Sequence, residues 1–375
     1  MTKKELVASI REYFAELEDP RIERTRLHSL DSMIIISILA VICGADGFVA
    51  IEQFALARAE WLRSLLDLPN GIPSHDTFGR VFAALEPKQL TEAFQRWTDM
   101  LATTLRGEVI AIDGKTLRRS FRTASKSAFT HMVSAWATKN RLVVGQVSTS
   151  EKSNEIEAIP RLLDLLDLRG AMVTIDAMGC QREIASEIVN KGGDYLLAVK
   201  ENQPTLHADV AQHFAAASAE EFDFVETHNQ GHGRQETRRC WVSRNLATLT
   251  TAAAWTGLTT LVCVESVRVL PGKEPTSELR YFISSRAKLT AKTALASVRA
   301  HWGIENGLHW VLDIAYREDD SRIRVDNAAE NFSIIRQLTA NLLTRATSIK
   351  VGVKNKRLRA GWDDAFLLSV LAGTG

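Results

Sequence analysis

The chain lacks the features that would mark a secreted, membrane-spanning or zinc-stapled protein. Its four cysteines, Cys43, Cys180, Cys240 and Cys263, lie far apart with no C-x-x-C pair, which argues against a zinc knuckle or a disulfide framework. The longest apolar run, around Met33 to Cys43, includes Ser37 and falls well short of the roughly 20 residues a membrane span needs. Met1-Thr2-Lys3-Lys4-Glu5 leads into a charged amphipathic segment, not a signal-peptide core. A cytoplasmic protein with no membrane partner is expected. At 375 residues, with 45% hydrophobic and 24% charged residues, two domains with an insertion are the expectation.

Acid is missing from two long stretches. Between Gly114 and Ser150 no Asp or Glu occurs, while Lys115, Arg118, Arg119, Arg122, Lys126, Lys139 and Arg141 supply cations. Between Asn341 and Gly361 there is again none, against Arg345, Lys350, Lys354, Lys356, Arg357 and Arg359. The net charge of only +1 conceals this segregation, which suggests basic surfaces for a polyanion, nucleic acid first. Two solvated faces are the plainer alternative.

What the chain does have is a strand that ends in an acid. Val109-Ile110-Ala111-Ile112 runs into Asp113 and Gly114, and Met172-Val173-Thr174-Ile175 runs into Asp176. Such apolar, largely β-branched runs read as buried strands, and two strand-end carboxylates of one sheet can converge on one spot.

Residues 1–105 read as a helical domain, either a DNA-binding module or a structural collar. Residues 106–345 alternate strands and helices in an α/β pattern, interrupted by a β-rich insertion at about 218–286. A basic tail with a short helix is expected at 346–375. A long helical pattern starts at Thr290 and passes through Val298, Trp302 and Glu305. On it, His301, Glu305 and His309 recur every four residues beside Leu308 and Leu312, so Glu305 should face the interior and add a third carboxylate. Oxygen ligands of that kind suit magnesium, with manganese as substitute. The histidines lack the H-E-x-x-H pattern of a zinc helix.

Ile112-Asp113-Gly114-Lys115-Thr116-Leu117-Arg118, Thr174-Ile175-Asp176-Ala177-Met178, Leu197-Ala198-Val199-Lys200-Glu201-Asn202-Gln203, and His301-Trp302-Gly303-Ile304-Glu305-Asn306 with Leu308-His309-Trp310-Val311-Leu312-Asp313 resemble the H-repeat-associated family of bacterial insertion-sequence DDE transposases. The resemblance spans almost the whole chain. It implies a ribonuclease-H-like mixed sheet with flanking helices, and Asp113, Asp176 and Glu305 as catalytic, metal-holding acids. It also implies cleavage at the ends of a mobile element, followed by attack of the freed 3′-hydroxyl on target DNA. Double-stranded DNA is then the partner, and a homodimer is expected in the DNA complex. Broader relatives carry a tyrosine, an arginine and a lysine around the glutamate, where this chain has Val298, His301 and Leu312.

Candidate DNA contacts are Lys115, Arg118, Arg119, Arg122, Lys200, Arg234, Arg238 and His301. For Lys115 and Lys200, solvation is the plain alternative, and for His301 a hydrogen bond within the fold. Asp313, Glu318, Asp319 and Asp320 read as salt-bridged or solvated acids. Two rivals remain open: a metal-dependent nuclease that cuts without joining, and a DNA-binding protein with an idle centre.

Overall fold

Short apolar segments, each closed by a turn, form the centre of the computed structural model, which describes residues 3–101, 104–120, 130–149, 154–216, 219–231 and 233–374. The strands β1 (Val109–Thr116), β2 (His131–Ala137) and β3 (Leu142–Thr149) make an antiparallel meander. Strand β4 (Met172–Ile175) lies parallel beside β1, and β5 (Asp194–Val199) lies parallel beside β4. All four residues of β4 are buried, as a parallel strand covered on both faces by helices requires. The order β3-β2-β1-β4-β5 is the ribonuclease-H-like arrangement expected above.

The inserted strands are β6 (Asp223–Gly231), β7 (Arg234–Ser243), β8 (Thr260–Val269) and β9 (Thr276–Ser284). They extend the same sheet instead of standing apart from it. Strand β9 pairs antiparallel with β5, and β8, β7 and β6 follow outward, giving nine strands in one sheet. The reason lies in Leu261, Val262, Phe282 and Ile283, whose burial carries the core across the junction.

Helices α1 (Lys3–Tyr13), α2 (Leu30–Ile42), α3 (Phe48–Ala57), α4 (Ala59–Arg63), α5 (His75–Ala84) and α6 (Pro87–Leu101) precede the sheet. Helices α7 (Glu155–Asp164), α8 (Arg182–Asn190) and α9 (Pro204–Ala216) alternate with its strands. After β9 come α10 (Ala291–His301), α11 (Trp310–Tyr316), α12 (Ala328–Arg345), α13 (Val353–Trp362) and α14 (Asp364–Leu371). No helix among the described residues is long and apolar enough to cross a membrane.

Helix α12 is the hub. It is buried without interruption from Asn331 to Leu343, which a helix can sustain only when other elements surround it. Helices α2, α5 and α6, strand β3, and α11, α13 and α14 all pack against it. Two of its buried asparagines reach backbone: Asn331 Nδ2 donates to the carbonyls of Phe82 and Leu85 at 2.8 and 2.9 Å. Asn341 accepts from Val143 N–H and donates to Val143 C=O, both at 2.8 Å, closing the edge strand β3 as a neighbouring strand would. The N-terminal helices therefore share one core with the sheet.

The stretch expected as a basic tail is packed as α13 and α14, with Leu367, Val370 and Leu371 buried. Two of its cations are internal anchors. Lys356 Nζ donates to Leu343 C=O at 2.9 Å. The Arg357 guanidinium bonds the Val41 and Ala45 carbonyls and lies 4.2 Å from the Tyr316 ring centre.

Candidate active site

Pairing of β1 with β4 decides where the first two acids go. Ile112 stands opposite Ile175 in that parallel ladder, so the next residues, Asp113 and Asp176, emerge side by side at the same end of the sheet. Asp176 is fixed by its own turn, its Oδ1 accepting from Met178 N–H at 3.0 Å.

The third acid arrives by a different route from the continuous helix expected. Helix α10 ends at His301, and Glu305 opens a π-helical turn, Glu305–His309, before α11 begins. Such π turns are rare and recur at functional sites. Gly307 makes this one possible: a Cβ there would lie 2.7 Å from Trp136 Cζ2 on β2, so only glycine lets the turn settle on the sheet. Asp113, Asp176 and Glu305 consequently line one cleft of about 210 Å³, together with Thr174, Lys200, Arg280, His301 and Trp302.

Electrostatics single out Asp113 within the cleft. Burial pushes the Asp113 carboxyl up to about 6, His309 opposes this, and the Glu305 and Asp176 carboxylates add to it. Glu305 is held below its ordinary value, first by its contact with His309. Crowded oxygen donors that disfavour one another's charge are what a divalent cation would relieve, so the donor set fits such an ion. Asp113, Glu305 and His309 offer ligand atoms within 4.8 Å of one another.

The remaining sequence candidates separate into three groups. Lys115 is not free for a phosphate, because its Nζ sits 2.7 Å from Asp313, 3.0 Å from Glu318 and 3.3 Å from Asp319, and its side chain is 12% exposed. Strand β1 carries it past the cleft into a cage of acids, the salt-bridged alternative expected for Asp313, Glu318 and Asp319. His301 is likewise engaged, its Nδ1 3.0 Å from Thr174 Oγ1, and burial lowers its pKa. Arg118 and Arg119 are exposed and lie near Asp319 and Asp320 at 3.3 and 3.7 Å. Arg122 falls outside the described residues. Lys200 is exposed at the cleft rim.

Arg234 and Arg238 flank Glu236 on β7. They line a second groove of about 590 Å³ with Arg268, Arg280 and Arg299. Arg280, Val298 and Trp302 belong to both spaces, so groove and cleft adjoin. Two members went unread in the sequence. Arg280 and Trp302 form the joint, the guanidinium 5.2 Å over an indole that is 48% exposed, and only the β5–β9 pairing brings Arg280 there. His309 carried a readable signal, its spacing of four from Glu305, without any hint that Asp113 would meet it.

Residues 104–342 match the family model described as "Transposase DDE domain", and residues 11–98 match the one described as "DDE_Tnp_1-associated". The Escherichia coli K12 protein named "H repeat-associated putative transposase YhhI" is 42% identical over 356 residues, covering 93% of each chain. "Putative transposase YncI" of Escherichia coli O157:H7 is 42% identical over 373 residues, covering 98% of this chain and 95% of that one. The cryo-EM structure of a piggyBac transposase synaptic complex with hairpin DNA aligns over 97% of this chain and 78% of that chain at 10% identity, with a TM-score of 0.44, too low to carry a conclusion. Matched over most of its length by the DDE model and end to end by these relatives, the chain belongs to the transposase DDE domain family, among its H repeat-associated members.

Proposed function

We propose that Asp113, Asp176 and Glu305 are the catalytic acids of this DDE transposase, and that together they hold magnesium, with manganese able to substitute. The observation that carries this reading is the convergence of the three carboxylates on one cleft from β1, the end of β4 and the turn after α10. Divalent ions bound there would stabilise charge on the attacking and leaving oxygens of a phosphodiester.

The chain's own groups account for the rest of the reaction. Lys200 and Arg280 stand at the rim, where they meet phosphates entering the cleft. The arginines of the adjoining groove supply a path for the DNA backbone leading to it. Arg118 and Arg119 offer a further exposed basic surface, whereas Lys115 and His301 serve the fold. Water cuts at the element's end, and the freed 3′-hydroxyl then attacks target DNA in the same cleft. Two ends must be joined in one event, so the DNA complex contains a second copy of the chain, acting in the cytoplasm on cellular DNA.

Incubating the full chain, magnesium and an end-bearing duplex with a target plasmid tests the reading. Cleavage and joined product are expected, and both should disappear in Asp176→Asn and Glu305→Gln while end binding persists. Cleavage without joining would favour a nuclease. Undiminished activity in Asp176→Ala would remove the triad altogether.

A further inference from the structure

We infer that His309 is a nitrogen ligand of the divalent-metal centre, which makes the site one of mixed oxygen and imidazole donors that holds manganese more tightly than carboxylates alone would. This inference rests on the metal reading of Asp113 and Glu305 given above.

Geometry separates a ligand from a hydrogen-bonding neighbour. His309 Nδ1 lies 3.6 Å from Asp113 Oδ2 and 3.4 Å from Glu305 Oε2. Those separations are at or beyond the limit for a sound hydrogen bond. They fit donors around one ion: at metal–ligand distances of about 2.1 Å, adjacent octahedral ligands are roughly 3 Å apart and opposite ones roughly 4.2 Å. All three ligand atoms fall within 4.8 Å of one another.

The surroundings of the ring point the same way. His309 has a side chain only 8% exposed. An imidazole edge loosely set between two carboxylates is costly to bury, and an ion on Nδ1 would satisfy it. The ring reaches this place because the π turn delivers Glu305 and His309 together, with Leu308 and Leu312 buried beside them.

Donor chemistry then sets the selectivity. Magnesium favours oxygen ligands and retains its waters, whereas imidazole favours later first-row ions along the series that begins with manganese. Replacing His309 should therefore cost manganese affinity more than magnesium affinity. The change should be at least the roughly tenfold that loss of even an outer-shell partner brings.

The test is pulsed EPR on the DNA-free full chain loaded with manganese alone, read for nitrogen coupling, with titrations of manganese and of magnesium beside it. Wild type should show coupling to one imidazole nitrogen that changes when histidine is labelled with ¹⁵N. His309→Asn should lose it, and His301→Asn should keep it, with circular dichroism confirming that both variants fold. Should His309→Asn not fold, ¹⁵N labelling of wild type and the His301→Asn spectrum still decide the matter. Manganese bound without nitrogen coupling, or coupling that vanishes in His301→Asn and survives in His309→Asn, overturns the inference and leaves the carboxylate site standing. Failure of manganese to bind, with Asp113→Asn indistinguishable from wild type, overturns the underlying metal reading as well.

Discussion

Lys115 Nζ lies 3.0 Å from Glu318 Oε2, and Glu318 is only 1% exposed. The ammonium thus ties β1, two residues beyond Asp113, to the segment that follows α11. Arg336 of α12 adds a second cation 3.7 Å from the same carboxylate, and Ser333 Oγ donates to it at 3.1 Å.

Replacing Lys115 by Met leaves Glu318 under-neutralised in the interior. Breaking a buried pair from one side costs about 3–5 kcal/mol, so a marked fall in the urea midpoint is expected. The salt dependence of DNA binding should not change. A shallower slope of log affinity against log salt would restore Lys115 as a phosphate contact.

Acid should remove this contribution before alkali does. Burial raises the Glu318 carboxyl, but Lys115 and Arg336 outweigh it and hold the group below its ordinary value of 4.5. A depressed carboxylate contributes stability above its unfolded pKa and loses it as pH falls through the folded one. Lys115 runs the other way: burial lowers it, Glu318 and Asp313 raise it above 10.5, and its contribution is lost only as pH climbs past that raised value. The stability gap between wild type and Lys115→Met should therefore be flat from about pH 6 to 9 and narrow below about pH 4. A gap that widens in acid contradicts this assignment.

Gly307→Ala tests whether the π turn positions Glu305. The added methyl meets Trp136 at 2.7 Å, and relieving such an overlap costs about 1–3 kcal/mol. Because the turn must lift from the sheet, manganese affinity and cleavage should both fall by roughly an order of magnitude. Trp136→Leu in the same chain should recover part of the loss. Full metal affinity in Gly307→Ala would show that the turn tolerates the shift.

The groove beside the cleft should announce itself through salt. Arg268→Ala and Arg299→Ala remove cations that line it, and each should lower the slope of log affinity against log salt by about 1 if it neutralises one phosphate. Affinities measured across a range of potassium chloride with an end-bearing duplex decide this, and unchanged slopes would move the DNA path elsewhere.

Much of the sheet was legible because strand-end acids and β-branched runs are local signals. Asp113 and Asp176 could be placed on strands from their own neighbours, and the registry Ile112 opposite Ile175 then followed from parallel pairing. The π turn could not be read, since its cause is a contact between Gly307 and Trp136, far apart in sequence. The basic tracts misled for a related reason: a run of cations says nothing about which members face inward, and Lys115, Lys356 and Arg357 do. The continuation of the sheet through β9 was hidden likewise, because pairing partners of an inserted strand leave no local trace.

The burial of α12 between the opening helices and the sheet bears on how such a gene decays. A copy that loses its first hundred codons does not yield a smaller working enzyme, because the helix bearing Arg336 and Asn341 would face water along the side that α2, α5 and α6 now cover. Loss of the opening helices is therefore expected to unfold the chain rather than trim it, because they complete the core around α12.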